Sequence, residues 1–360
     1  MGVLSGSVVG LDFWPMNIAL LKALSEAPGI SGREERVREI VVKEAKGLFD
    51  SVEIDPMGSV IATKKSKVKG AKKVIVAAHI DEIGFYVKHI DAGGFIRLAN
   101  VGGFDTRNLF ARRVRVQASG GGKSRDLFGV MNPGGRPIHI AKEEDKKKIP
   151  EVGEFMVDLL LPADEVKAAV RVGDPVTLVQ ELMETATAVT GKAMDDRVCV
   201  FIAIEAVRKL KSLKYDLTVA FTVQEEVGLR GAFAAGYASQ ADIGIALDVT
   251  LAVDTPGVPE EEACSKFGGG AALTVLDSAS IADRPLLDEF EAVAKKNKIP
   301  HQLSILVRGG TDAAGLQRAR NGMRTFTLST PTRNIHTVTE ACSKVDIQAS
   351  IDLLAAWLQA

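Results

Sequence analysis

The 360-residue sequence predicts an α/β fold, a mixed and largely parallel sheet flanked by helices with a small all-β domain inserted into it. Three observations carry that reading. Short, nearly all-apolar runs at 74–78, 217–223, 243–247 and 324–328 are bounded by turn or acidic residues, as strands buried on both faces are. Segments with apolar residues at helical spacing, 198–211, 285–296 and 345–358, alternate with the later runs. The stretch from about 85 to 180 has a different texture: alternating segments at 94–98, 113–117, 126–130 and 175–179, Gly-rich turns and no long helical period. The division that follows is 16–84 for the first part of the α/β domain, 85–180 for the inserted β domain and 181–360 for the second part.

Each element has its own justification. Residues 1–21 are apolar but lack a basic leading segment, and Asp12 and Pro15 interrupt them, so a signal peptide is not expected. Gly6 stands where a myristoylation motif needs Ser or Thr. Residues 17–49 read as two helices around a Pro-Gly-Ile-Ser-Gly turn, with Ser31 ahead of Glu34 and Glu35 as a helix-start signal near 32. The tract Gln117-Ala-Ser-Gly-Gly-Gly-Lys-Ser124 ends like a phosphate-binding loop. Gln117 occupies the position of the first glycine, however, and a strand-like segment follows where a helix is needed, so it reads as a hairpin turn. The charge run 142–148 reads as a solvated segment.

Composition narrows the function classes. Hydrophobic residues at 46% and charged residues at 25% fit a globular chain, and 45 basic against 46 acidic residues leave no basic excess for nucleic acid. No apolar stretch reaches the roughly 18 residues of a membrane span. Three dispersed cysteines, an odd number, argue against a disulfide scaffold and for a reducing, cytoplasmic setting.

The chemistry lies where the strand-like runs end, which is where open α/β sheets collect ligands. The first run ends in His79-Ile80-Asp81, the second in Gln224-Glu225-Glu226, and the third in Asp248; His336 follows the fourth after a short loop, and Asp195-Asp196 precede a helix. A single acidic residue after a strand is usually a cap. Several converging on one rim repel one another and call for positive charge, which divalent cations supply. With no cysteine among them, the set suits a His/carboxylate site. In an extended segment His79 and Asp81 point the same way, so Asp81 can accept the second ring N–H of a ligating His79. Adjacent Glu225 and Glu226 point in opposite directions, so one can bind metal while the other faces a bound water as general base. His89, His139 and His301 lack an acidic neighbour at a strand end and read as surface or structural residues.

Six ordered motifs extend this reading: His79-Ile-Asp-Glu-Ile-Gly84, Met194-Asp-Asp-Arg197, Gln224-Glu-Glu-Val-Gly228, Asp248-Val-Thr250 with Asp254-Thr-Pro-Gly257, Gly309-Gly-Thr-Asp-Ala313 and Ile335-His336. From about Met16 onward the chain resembles the tetrahedral (TET) aminopeptidases, dinuclear metallopeptidases that include glutamyl and leucyl aminopeptidases. The resemblance implies a zinc-aminopeptidase-like fold and two divalent ions, Zn²⁺ or Co²⁺. His79 and Asp248 would hold one ion and Glu226 and His336 the other, with Asp195 bridging. Glu225 would be general base and then acid, Asp81 the partner of His79, and the bond between Asp195 and Asp196 a candidate cis peptide. It further implies cleavage of N-terminal residues from short peptides by two-metal activation of water, dimerisation through the β domain and assembly into a dodecamer. The chain departs from the family pattern at 334–338, where Asn-Ile-His-Thr-Val replaces Tyr-Ile-His-Ser-Pro, and at His301, where an aromatic residue is usual. An N-acyl-amino-acid deacylase or dipeptidase on the same scaffold is the nearest alternative, and a glycoside hydrolase a distant one. Neither nucleic acid nor a membrane is expected as a partner.

Overall fold

Helix α1 (Ile18–Glu26) opens the computed structural model, which describes residues 16–122 and 124–360; the apolar first 15 residues and Lys123 of the Gly-rich tract lie outside the described residues. Asn17 caps α1 by accepting from the Leu20 N–H. The second helix, α2 (Glu35–Ala45), begins about three residues later than the helix-start signal implies. The reason is specific: the Ser31 hydroxyl donates to Asp81 Oδ2 at 2.6 Å and leaves the helix end uncapped.

Strands β1 (Ser51–Ile54), β2 (Val60–Lys64) and β3 (Lys73–His79) follow. The chain then leaves for six strands, β4 (Gly84–Ile90), β5 (Ile96–Val101), β6 (Arg112–Ala118), β7 (Arg125–Pro133), β8 (Phe155–Asp158) and β9 (Pro175–Leu178). These close into an antiparallel barrel in the order β4-β5-β8-β7-β6-β9, filled by alternate inward side chains such as Phe85, Val114, Val116, Phe155 and Val176. The Gly-rich tract after β6 is the turn of the β6–β7 hairpin, and the run at 142–148 carries a short exposed helix, α3 (Glu143–Lys147). Helix α4 (Ala163–Ala169) packs Val166 and Ala169 against the barrel.

Strands β10 (Met183–Glu184) and β11 (Ala188–Gly191) return the chain to the large sheet, and α5 (Met194–Arg208), β12 (Asp216–Thr222), α6 (Arg230–Ser239), β13 (Ile243–Leu251) and β14 (Ala271–Leu276) continue it. Then come α7 (Arg284–Asn297), β15 (His301–Ile305), α8 (Asp312–Gln317), β16 (Arg324–Arg333), β17 (Glu340–Ser343) and α9 (Lys344–Gln359). The sheet has eleven strands. Its path is β1-β2-β12-β3-β13-β16-β17-β11-β10, with β14 on β16 and β15 on β14. The four central strands β12, β3, β13 and β16 are mutually parallel. They are also the four apolar runs, extended at their ends: β3 is buried from Val74 to His79 and β13 from Ile243 to Thr250. Helices cover both faces, which is why these strands read as continuous apolar runs. Asp283 caps α7 by accepting from Leu286 N–H, and Ser343 caps α9 by accepting from Val345 N–H. No helix among the described residues is long and apolar enough to cross a membrane.

Candidate metal centre

The parallel arrangement puts the carboxyl ends of β12, β3, β13 and β16 on one rim, and the sequence places ligand-type residues at each. His79 is the last residue of β3, and Asp248 lies near the end of β13. Glu225 and Glu226 follow β12, His336 follows β16, and Asp195 opens α5. The Asp195–Asp196 peptide bond is cis.

The seven residues singled out from the sequence meet there. His79, Asp195 and Asp248 bring one ligand atom each within 4.8 Å of one another, and so do Asp195, Glu226 and His336. Asp195 is common to both groups and splits its oxygens between them: Oδ1 lies 3.1 Å from His79 Nε2 and Oδ2 3.4 Å from His336 Nε2. Glu226 Oε2 is 3.4 Å from the same His336 nitrogen. Glu225 belongs to neither group but stands beside the first, its Oε2 3.9 Å from His79 Nε2.

Asp81 sits beneath. The nearest acceptor for His79 Nδ1 is the Asp81 carbonyl at 3.1 Å, with the carboxylate at 3.5 Å. The carboxylate itself accepts the backbone N–H of Glu225 at 3.0 Å and of Glu226 at 3.2 Å, together with the Ser31 hydroxyl. One buried aspartate therefore orients the imidazole and both glutamates. Asp196, fully buried, accepts the backbone N–H of His79.

Two residues that sequence reasoning passed over hold the frame. Glu340, buried in β17, accepts the backbone N–H of Asp195 at 3.0 Å with one oxygen and that of His336 at 2.7 Å with the other. Burial, then the charge of Asp195, pushes its pKa up to about 8. Glu82 and Lys192 form a buried ion pair at 2.6 Å, and Glu82 also accepts from Gly29 N–H. Glu82 lies within the motif that runs from His79 to Gly84. Glu340 and Lys192 carried no local signal, because the partners that give them meaning, Asp195 and Glu82, lie more than a hundred residues away in sequence.

The electrostatics follow from the crowding. Burial disfavours the His336 imidazolium, but Asp195 and Glu226 push its pKa up to about 12. Burial raises Glu225, and Asp248, Asp312 and Glu226 add to it. Burial likewise raises Asp248, with Asp196 and Asp195 adding repulsion. Burial works against the Asp195 anion too, yet the two imidazoles hold it below the ordinary carboxylate range. Buried oxygens Oδ2 of Asp248 and Oε1 of Glu226 have no hydrogen-bond partner among the described residues. Orphaned carboxylate oxygens beside imidazole nitrogens, without a thiolate, are the donor set of a divalent cation such as zinc or cobalt. The residues fit the group.

The loop that follows β5 comes up against this site. A Cβ added at Gly102, where φ is +80°, would come within 2.4 Å of Ile83 Cγ2 and 3.1 Å of Glu226 Oε2. The cleft above the ligands has a volume of about 530 Å³ and extends to the loop carrying Arg308 and Gly309.

The model of the M42 glutamyl aminopeptidase family matches residues 58–353. The chain belongs to that family. This M42 chain is 34% identical to a lysyl aminopeptidase of Pyrococcus furiosus, over 94% of its own length and 96% of the relative's. Its fold matches an aminopeptidase of the archaeon Desulfurococcus kamchatkensis with a TM-score of 0.89 and 34% identity, covering 95% and 94% of the two chains. It also matches the TET1 peptidase of Pyrococcus horikoshii, described as assembling into a tetrahedron or a large octahedral shell, with a TM-score of 0.83 and 29% identity over 95% and 98%. Family and relatives make this M42 protein a metal-dependent aminopeptidase, a hydrolase of peptide bonds.

Proposed function

We propose that the protein removes N-terminal residues from short peptides at a two-cation site held by His79, Asp195, Glu226, Asp248 and His336. The observation that carries this reading is the pair of ligand groups joined by the two oxygens of Asp195. His79 and Asp248 would hold one ion and Glu226 and His336 the other, with Asp195 available to both; Zn²⁺ and Co²⁺ both suit the nitrogen and oxygen donors. When bound, the cations polarise the scissile carbonyl and lower the pKa of water.

The chain's own residues do the rest. Glu225, lifted out of the ordinary carboxylate range by burial and by neighbouring carboxylates, takes the proton of the attacking water and returns it to the leaving amine. Asp81 fixes Glu225 and Glu226 through their backbone N–H groups and steers the His79 ring. Glu340 holds Asp195 and His336 in register.

The catalytic domain comprises 16–84 and 181–360, and the insertion 85–180 is a dimerisation module from which dimers build a dodecamer. Exposed apolar side chains on the barrel segment, Phe128 at 58% and Leu160 at 74%, support that role. So does the shell named for the TET1 relative. Light scattering of the purified protein measures the assembly directly.

The function is tested with leucyl-, glutamyl- and lysyl-p-nitroanilides beside N-acetyl-leucinamide, before and after chelation and on return of Zn²⁺ or Co²⁺. Cleavage of free aminoacyl substrates, lost on chelation and restored by either ion, is expected. Cleavage of the acetylated amide alone would instead identify a deacylase.

A further inference from the structure

We propose that the rim of the large sheet opposite the cation centre is a basic surface that takes the phosphate backbone of a single-stranded nucleic acid. Over the whole chain Lys and Arg balance Asp and Glu, but they are not evenly spread. Residues 64–73 and 208–216 hold ten Lys or Arg and a single acidic residue, Asp216. The first segment leads into β3 and the second into β12, neighbouring parallel strands whose other ends lead to His79 and Glu225. The sheet thus separates a carboxylate-rich rim from a lysine-rich one.

Hydrogen bonds pin the two segments together. Ser66 donates from its hydroxyl to the Leu213 carbonyl at 2.6 Å and from its N–H to Asp216 Oδ1 at 3.0 Å, and Asp216 N–H donates to the Lys72 carbonyl at 2.9 Å. Lys214 N–H donates to the Leu358 carbonyl and Lys211 N–H to Gln359 Oε1, both at 3.0 Å, which fixes the second segment to α9. The side chains, by contrast, are free. Lys67, Lys69, Lys72 and Lys211 are exposed and form no side-chain hydrogen bond or ion pair among the described residues. Lys214 is exposed with its ammonium over the Tyr215 ring. The nearby acids are already engaged: Asp50 accepts Lys65 N–H, Asp242 accepts Lys73 N–H, and Asp216 pairs with the Lys65 ammonium.

Lys72 and Lys214 line a groove of about 520 Å³, whose far wall carries Glu289, 3.7 Å from Arg324, beside Val293 and Ala360. The shape and chemistry of this surface choose among polyanions. A protein interface needs a buried apolar centre and is poor in lysine. Val68 is the only exposed large apolar side chain in the two segments. A flat lipid surface meets the outer lysines but not the two inside the groove. A single strand reaches both sets, and free ammonium groups on a fixed backbone suit phosphates, which are bound without regard to sequence. Tyr215 is buried and no other aromatic ring stands in the two segments, so bases find nothing to stack on and RNA and DNA should bind alike.

The test is fluorescence anisotropy of labelled single-stranded RNA and DNA oligonucleotides of mixed sequence, titrated with the full-length protein at several KCl concentrations. Five lysines paired with five phosphates of a single strand give a salt slope of about −3.5, so affinity should fall about 100-fold between 50 and 200 mM KCl. Lys67→Glu/Lys69→Glu and Lys211→Glu/Lys214→Glu should each weaken binding at least about tenfold at the lower salt and flatten the slope. Lys88→Glu/Lys167→Glu, which reverses two lysines of the barrel segment, should bind as the wild type does. Melting temperatures check that each variant is folded. No rise in anisotropy at the lower salt overturns the proposal, as does an equal loss in the barrel variant, which would reduce the effect to net charge. Sedimentation with vesicles of equal phosphatidylcholine and phosphatidylglycerol forms the other arm: retention on vesicles without oligonucleotide binding would make the rim a membrane surface and overturn it too.

Discussion

Glu225 and Glu340 show how differently two buried glutamates serve one centre. Glu225 stands beside the ligands without joining either group, so Glu225→Gln should lower kcat by about 100- to 10,000-fold while the protein still binds its metal. Turnover together with metal content by atomic emission tests this; near-normal kcat would remove the base assignment. Glu340 is buried and does not line the cleft. Because it accepts the N–H groups of Asp195 and His336, Glu340→Ala should weaken metal affinity about 10- to 100-fold, read by competition with a chromogenic chelator. Proton linkage has a definite sign here. Burial raises Asp248 and Glu226 in the metal-free chain, so protons must leave when a cation enters. Affinity should rise with pH, and calorimetry in buffers of unequal ionisation enthalpy should register proton release.

Among the elements, the four central strands were legible because burial on both faces leaves an unbroken apolar run. The candidate metal-binding residues drew attention because those runs stop at them. The helix start near 32 was misplaced for a reason no local pattern carries: Ser31 spends its hydroxyl on Asp81, fifty residues away. Strands β14 and β15 did not announce themselves. β15, with only two apolar residues among its five, sits at the sheet edge, where Leu303 and Ile305 remain exposed. Glu340 was hidden for the same reason as Ser31, since its value lies in partners 145 and four residues distant. The loop after β5 is the element most tightly tied to the site. Gly102→Ala adds a methyl against Ile83 and Glu226 at a backbone angle that suits glycine, and should lower both melting temperature and metal affinity. An unaltered affinity would mean that this loop does not shape the centre.

Across the whole molecule, barrel and sheet domain are joined by few polar contacts, and one of them titrates. Arg36 on α2 grips Asp126 on β7 with two hydrogen bonds of 2.7 Å and holds its pKa below the ordinary value. A lowered folded-state pKa means that this contribution is present above the unfolded value, about 4, and is lost as pH falls through the folded one. The pair is partly exposed, so its contribution is at most about 1 kcal/mol. Arg36→Met should lower the melting temperature slightly at pH 7, and the difference from wild type should vanish well below pH 4; a difference that persisted there would assign the effect to packing. A stronger junction lies deeper. The chain departs for the barrel just past Glu82, and after its return through β10 and β11 Lys192 meets Glu82 as a buried pair three residues before Asp195. The neck of the insertion is thus cinched directly under the cation seat. Neighbouring subunits that gripped one another by their barrels would be tugging on the catalytic floor, so assembly and turnover in this protein would share a single mechanical anchor.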